Sequence, residues 1–186
     1  MNELQQTLNI LRNGGLILYP TDTVWGIGCD ATDKTAVEKI YALKQRPDTK
    51  SLIVLVDSVS MIEQYVRQVP PMAYDLIELS NTPLTIIYPN ATGIAANAIA
   101  DDGSIAIRVV QNTFCQELIR LFGRPVISTS ANISANPTPK NFGEISRAVK
   151  EGVDFVVDET MDKGSTQKPS SIIKLGLQGE IEIIRK

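Results

Sequence analysis

Leu4, Leu8 and Leu11 recur at helical spacing, and the pattern stops at Asn13-Gly14-Gly15, which predicts a first helix with a glycine exit. Leu16 to Tyr19 then reads as a short buried strand ended by Pro20. A second helix is expected from near Asp33 to Leu43, with Val37, Ile40 and Leu43 inward and Thr35 and Glu38 at capping-box spacing. Pro47 biases Arg46 out of helical geometry and turns Lys44 to Pro47 into a loop. Leu52 to Val56 is a continuous apolar strand, followed by helical segments at Ser60 to Val66, with Ser60 and Glu63 again at capping-box spacing, and at Met72 to Leu79. Leu84 to Tyr88 and Ile105 to Val109 read as strands, Phe114 to Phe122 as a helix and Val126 to Ser128 as a strand. Asn141 and Glu144 open a short helix, and Phe155 to Val157, Ser171 to Leu175 and Glu180 to Ile184 close the pattern as strands. This alternation predicts an α/β fold with helices packed against a mainly buried sheet, and the closely spaced late strands make the sheet mixed.

No linker-like stretch or internal repeat divides the chain, so 186 residues at 43% hydrophobic content are expected to form one domain over residues 1–186. The first residues lack the basic start and apolar run of a signal peptide, and no later run approaches a membrane span. The expectation is a cytoplasmic protein with no membrane partner. Lys and Arg total 18 against 21 Asp and Glu, so the surface as a whole is not a basic nucleic-acid platform, although a local positive cleft is compatible with that balance. Cys29 and Cys115 have no CxxC spacing and suggest no disulfide framework. The chain has no histidine, which excludes a His-based triad, a histidine general base and any His-containing zinc site. Chemistry must come from Lys, Arg, carboxylates, hydroxyls, backbone amides or a substrate-borne metal.

Polar clusters interrupt the apolar framework at element ends. Pro20-Thr21-Asp22-Thr23-Val24-Trp25-Gly26-Ile27-Gly28 puts hydroxyls and glycines just after a buried strand, which suits a small-molecule site and equally suits an ordinary turn. Lys44-Gln45-Arg46-Pro47-Asp48-Thr49-Lys50 places three cations at a helix exit, where they could grip a polyphosphate or simply favour the helix dipole. There is no GxxxxGK segment, so a triphosphate would be held outside a P-loop. Arg108 ends an apolar strand and needs a partner or anion if buried. Ser128-Thr129-Ser130-Ala131-Asn132 follows another strand, where Ser130 and Asn132 could contact phosphate or a small ligand together, and Lys168-Pro169-Ser170-Ser171 repeats the theme.

In this order, and from about Leu8 through Ile173, these segments resemble the YrdC-like family. The resemblance implies a twisted, mixed, open α/β sheet with flanking helices and a concave, locally positive surface. It also implies a nucleotidyltransferase that makes L-threonylcarbamoyl-adenylate and pyrophosphate from L-threonine, bicarbonate or CO2, and ATP. The intermediate would pass to a separate tRNA threonylcarbamoyltransferase complex, with at most weak tRNA contact by this chain. The resemblance assigns Lys44 and Arg46 to catalysis beside the carbamate and phosphates. It assigns Thr21, Thr23, Lys50 and Arg108 to the threonine substrate, and Ser128, Ser130, Asn132, Ser170 and Ser171 to the nucleotide. Mg2+ would arrive on ATP. The implied reaction runs from threonine amine and CO2 to a carbamate whose oxygen attacks the α-phosphorus, with no protein nucleophile.

Four departures from the family pattern fall on the scaffold. Thr82 stands where glycine is common, Ser51 and Val110 where proline is, and Ala135 where glycine is. The short tail resembles the compact form of the family. Two other functions share the fold: an RNA-binding or regulatory module without synthase activity, and a carbamoyltransfer enzyme of metal-centre maturation.

Overall fold

In a computed structural model of the protein, residues 2–45 and 52–186 are described. Helix α1 (Glu3–Arg12) starts where the Asn2 side chain accepts the Gln5 amide, and it buries Thr7, Leu8 and Leu11. Strands β1 (Ile17–Tyr19) and β2 (Gly26–Gly28) follow. Helix α2 (Lys34–Lys44) is capped by Asp33, which accepts from the amides of Thr35 and Ala36. The expected Thr35–Glu38 box does not form, because Asp33 already satisfies those donors and Glu38 lies beside Lys34 at 3.8 Å. After β3 (Ile53–Val56), helix α3 (Val59–Tyr65) has Ser58 at its N-cap without a side-chain cap bond. Ser60 therefore lies inside α3, and Glu63 accepts the Tyr74 hydroxyl instead of closing a box.

Helix α4 (Met72–Leu79), β4 (Leu84–Tyr88) and β5 (Ile105–Val109) match the periodicity. Helix α5 (Thr113–Phe122) is capped by Asn112, ends at Gly123 with φ 74°, and packs its buried face on α1. Strand β6 (Val126–Ser130) runs two residues beyond the Val126 to Ser128 expected from the sequence. The turn at Asn141 is a 3-10 segment, and α6 (Arg147–Glu151), β7 (Phe155–Val156), β8 (Ser171–Leu175) and β9 (Ile181–Arg185) complete the chain.

The strands form one mixed nine-stranded sheet in the order β7-β1-β2-β6-β3-β5-β4-β8-β9. Three pairs are parallel, β7 with β1, β3 with β5, and β4 with β8, and the other five are antiparallel. Side-chain alternation splits the middle of this sheet into two functional faces. Ile127, Val54, Ile107 and Ile86 stand side by side on four adjacent strands, all at most 1% exposed. Burying each stabilises the fold by roughly 1.5 to 3 kcal/mol. One residue along, Ser128, Ile53, Ala106 and Ile87 form the neighbouring row on the opposite face.

The scaffold departures are accommodated locally. Thr82 is not among the residues with positive φ, so its turn is built without the conformation glycine would permit. Val110 uses the amide that proline lacks, donating to Val56 O at 3.1 Å. Ser51 lies outside the described residues. Ala135 is different: it sits at φ 70°, where an L residue is strained. Ala135→Gly is therefore expected to raise stability by up to about 1 kcal/mol, a gain of roughly 2 to 4 °C in melting temperature by calorimetry. An unchanged or lower melting temperature would show that the loop already absorbs the strain.

Candidate functional site

The row Ser128, Ile53, Ala106, Ile87 floors a cavity of about 320 Å³. Val24, Leu52 and Ile172 extend its apolar wall, and Thr23, Arg108, Ser128, Ser130, Ser170 and Arg185 supply its polar groups. Two residues toward the end of β6, Ser130 lies opposite Gly26. A Cβ on Gly26 would stand 2.7 Å from Ser128 Oγ, so glycine keeps this corner open. The combination of apolar floor and convergent hydroxyl and guanidinium groups is that of a small-molecule site.

Arg108 is 3% exposed, and its Nη2 lies 3.0 Å from Asp22 Oδ1 and donates to Thr23 Oγ1 at 3.1 Å. Thr21 Oγ1 donates its proton to Val24 O at 2.7 Å, so in the 3.0 Å contact between the two threonines it is Thr23 that donates. The relay from Arg108 through Thr23 to Thr21 fixes both the guanidinium and the turn. Among the described residues the buried Arg108 Nε has no hydrogen-bond partner, which leaves a donor available to an anionic ligand group.

On the far wall, Ser170 is buried with its Oγ 2.7 Å from Thr85 Oγ1. Arg185 Nε donates to Ser170 O at 2.9 Å, which orients the second guanidinium. Desolvation first, and the positive charge of Arg108 second, hold Arg185 below the ordinary arginine value. The two positive charges repel each other, and a bound anion would relieve that repulsion.

The other expected residues that are described lie around this cavity rather than in it. Lys44 is buried, and its ammonium donates to Ser130 O at 2.5 Å and Asn132 O at 2.6 Å, while Ser134 N donates to Lys44 O at 2.9 Å. It thus clips the loop after β6 to the end of α2. Asn132 shapes the same loop, donating to Asn136 O at 2.7 Å and Ile133 O at 3.1 Å. Thr21 braces Thr23 from behind. Ser171 pairs in register with Leu84 and faces the side of the sheet away from the cavity, one residue out of phase with Ser170 and Ile172. Arg46 and Lys50 lie outside the described residues. Trp25 is buried against Phe142 at 4.9 Å and donates its Nε1 to Asp162. The apolar contact surface of the cavity is built from Val24, Leu52, Ile53, Ile87, Ala106, Ile172 and Ile184.

Sequence reasoning missed Arg185 and this floor. Arg185 ends an exposed strand, where an arginine is ordinary, and the floor residues share their strands with core residues of the same apolar character. Burial pushes the thiols of Cys29 and Cys115 well above their usual range, which removes them as nucleophiles at neutral pH.

A family model described as telomere recombination, Sua5/YciO/YrdC, matches residues 9–186. A curated relative from Cellvibrio japonicus, named threonylcarbamoyl-AMP synthase, is 36% identical over 177 residues, which cover 93% of this chain and 90% of that protein. The crystal structure of P. abyssi Sua5 complexed with L-threonine superposes with a TM-score of 0.82 at 26% identity, covering 94% of this chain and 52% of that one. This chain thus spans about half the length of that structure. The crystal structure of E. coli YciO gives a TM-score of 0.82 at 28% identity over 98% of this chain and 88% of its own. The mixed sheet with flanking helices is the fold of both.

Proposed function

The chain belongs to the Sua5/YciO/YrdC family, and from that premise we propose that it makes L-threonylcarbamoyl-adenylate and pyrophosphate from L-threonine, bicarbonate or CO2, and ATP. The observation that carries this reading is the pair of oriented guanidiniums, Arg108 and Arg185, facing one hydroxyl-rimmed cavity with an apolar floor. An amino-acid carboxylate suits the buried Arg108 donors, the methyl suits the apolar floor, and phosphate oxygens suit Ser128, Ser130 and Arg185.

In the reaction the threonine amine attacks carbon dioxide and loses a proton, giving a carbamate. A carbamate oxygen then attacks the α-phosphorus, and pyrophosphate leaves. Arg108 holds the amino acid so that its carbamate meets the phosphorus, and Arg185 offsets the charge that grows on the phosphoryl oxygens. Ser130 is held for its contact by Lys44, which fixes the carbonyl of the same residue. Mg2+ enters as part of MgATP and shields the phosphates; among the described residues no three carboxylates or thiols converge to hold it. Delivery of the intermediate to a tRNA-modifying complex, and work in the cytoplasm, complete the proposal. Among the described residues no helix is long and apolar enough to cross a membrane.

Purified protein with MgATP, L-threonine and bicarbonate is expected to release pyrophosphate and yield threonylcarbamoyl-adenylate by mass spectrometry. Folded protein that forms no such intermediate would overturn the assignment. Serine should serve poorly, since one buried methyl is worth about 1 to 3 kcal/mol, or roughly ten- to two-hundredfold in kcat/KM. Equal efficiencies for the two amino acids would remove the substrate methyl from the apolar floor.

A further inference from the structure

The two edges of the sheet are unlike. Strand β7 is two residues long, which leaves little backbone to pair. Strand β9 is five residues long and exposed throughout, with Ile181, Ile183 and Ile184 each about half exposed or more, at 51%, 60% and 49%. One edge of β9 is hydrogen-bonded to β8, and among the described residues no strand covers the other. Its polar residues are sorted: Glu180 and Glu182 stand at the start and Lys186 at the end, next to Arg185, whose guanidinium is turned to Ser170. Charges placed only to keep an edge soluble need no such order.

We propose that β9 pairs antiparallel with β9 of a second copy of this chain. Antiparallel pairing with Ile183 opposite Ile183 brings Glu180 of each strand beside Lys186 of the other. Parallel pairing would align like charges. Ile181 and Ile183 stand in register with Leu175 and Ile173 on the side of the sheet away from the cavity, so the apolar contact continues an apolar surface already present. A single strand pair makes a small interface, so the dimer is weak and depends on concentration.

The test is sedimentation equilibrium of the intact chain between about 1 and about 500 μM, with thermal denaturation to confirm folding of each variant. Wild-type protein is expected to pass from monomer to dimer within this range. Ile183→Lys, Glu180→Lys and Lys186→Glu should each weaken the dimer by about tenfold or more, because each removes an apolar or opposite-charge pair. The double variant Glu180→Lys with Lys186→Glu should recover most of the wild-type affinity, since it exchanges the two ends while keeping them opposite. A wild-type monomer throughout the range overturns the proposal. So does a dimer that ignores Ile183→Lys, or one that the double variant fails to restore.

Discussion

Arg108→Ala is expected to cost about 3 to 5 kcal/mol of stability, since it leaves the Asp22 carboxylate buried without its cation. The two side chains are 4% and 5% exposed and 3.0 Å apart, so water cannot easily replace the lost partner. Activity should fall as well, because Thr23 loses its guanidinium contact and the cavity loses the Arg108 donors. These two losses separate in a double variant. Arg108→Met with Asp22→Asn removes both charges at similar volume and should recover most of the stability in urea denaturation, while turnover stays low. A stability loss under about 1 kcal/mol in Arg108→Ala would mean the pair behaves as a hydrated one. Recovery of activity in the double variant would reduce Arg108 to a structural role.

Replacing Lys44 with Ala is expected to lower kcat/KM at least about tenfold, equivalent to roughly 1.4 kcal/mol. The route differs from the direct clamp on phosphate that the family resemblance implied. Lys44 donates to the carbonyls of Ser130 and Asn132, so its loss frees the loop that presents the Ser130 hydroxyl to the cavity. Hydrogen bonds from a charged donor contribute about 1.5 to 3 kcal/mol, enough for loop displacement to raise the KM for ATP. Lys34→Ala is the control: its side chain is 69% exposed and only 3.8 Å from Glu38, so its removal should leave the kinetics unchanged. Arg46→Ala belongs in the same pyrophosphate-release series. Near-wild-type efficiency in Lys44→Ala, with or without loss in Arg46→Ala, would dismiss the loop clip.

Periodicity made the helices and most strands legible because each buries one face, as in α5 with Phe114, Cys115, Leu118, Ile119 and Phe122 inward. Strand β2 was not legible as a strand. Gly26-Ile27-Gly28 offers one β-branched residue between two glycines, and only the close approaches of Ser128 Oγ to Gly26 and of Tyr19 and Ile127 O to Gly28 explain that composition. The polar clusters at strand ends fall around the cavity, and Thr23, Arg108, Ser128, Ser130 and Ser170 line it. Their neighbours Thr21, Asn132 and Ser171 share the same local signal but serve the scaffold or face away. Distinguishing them requires register, because a one-residue step along a strand reverses the side on which a side chain stands. The apolar floor carried no signal at all, since Ile53 and Val54 are equally hydrophobic and differ only in which side of the sheet they occupy.

The sheet order also governs when the cavity comes into being. Its walls join segments far apart along the chain: Thr23 meets Arg108, and Thr85 meets Ser170, in each case across 85 residues. Closing such loops costs chain entropy before any contact repays it, and sheets dominated by distant pairings fold slowly. The helices can form from neighbouring residues, but Ser170 and Arg185 reach the cavity only after β8 has docked on β4 and β9 on β8. Synthesis runs from the N-terminus, so these last two strands leave the ribosome after every other wall of the cavity. A nascent chain can therefore hold most of its core while still lacking one of its two guanidiniums, and ligand affinity is among the last properties it acquires.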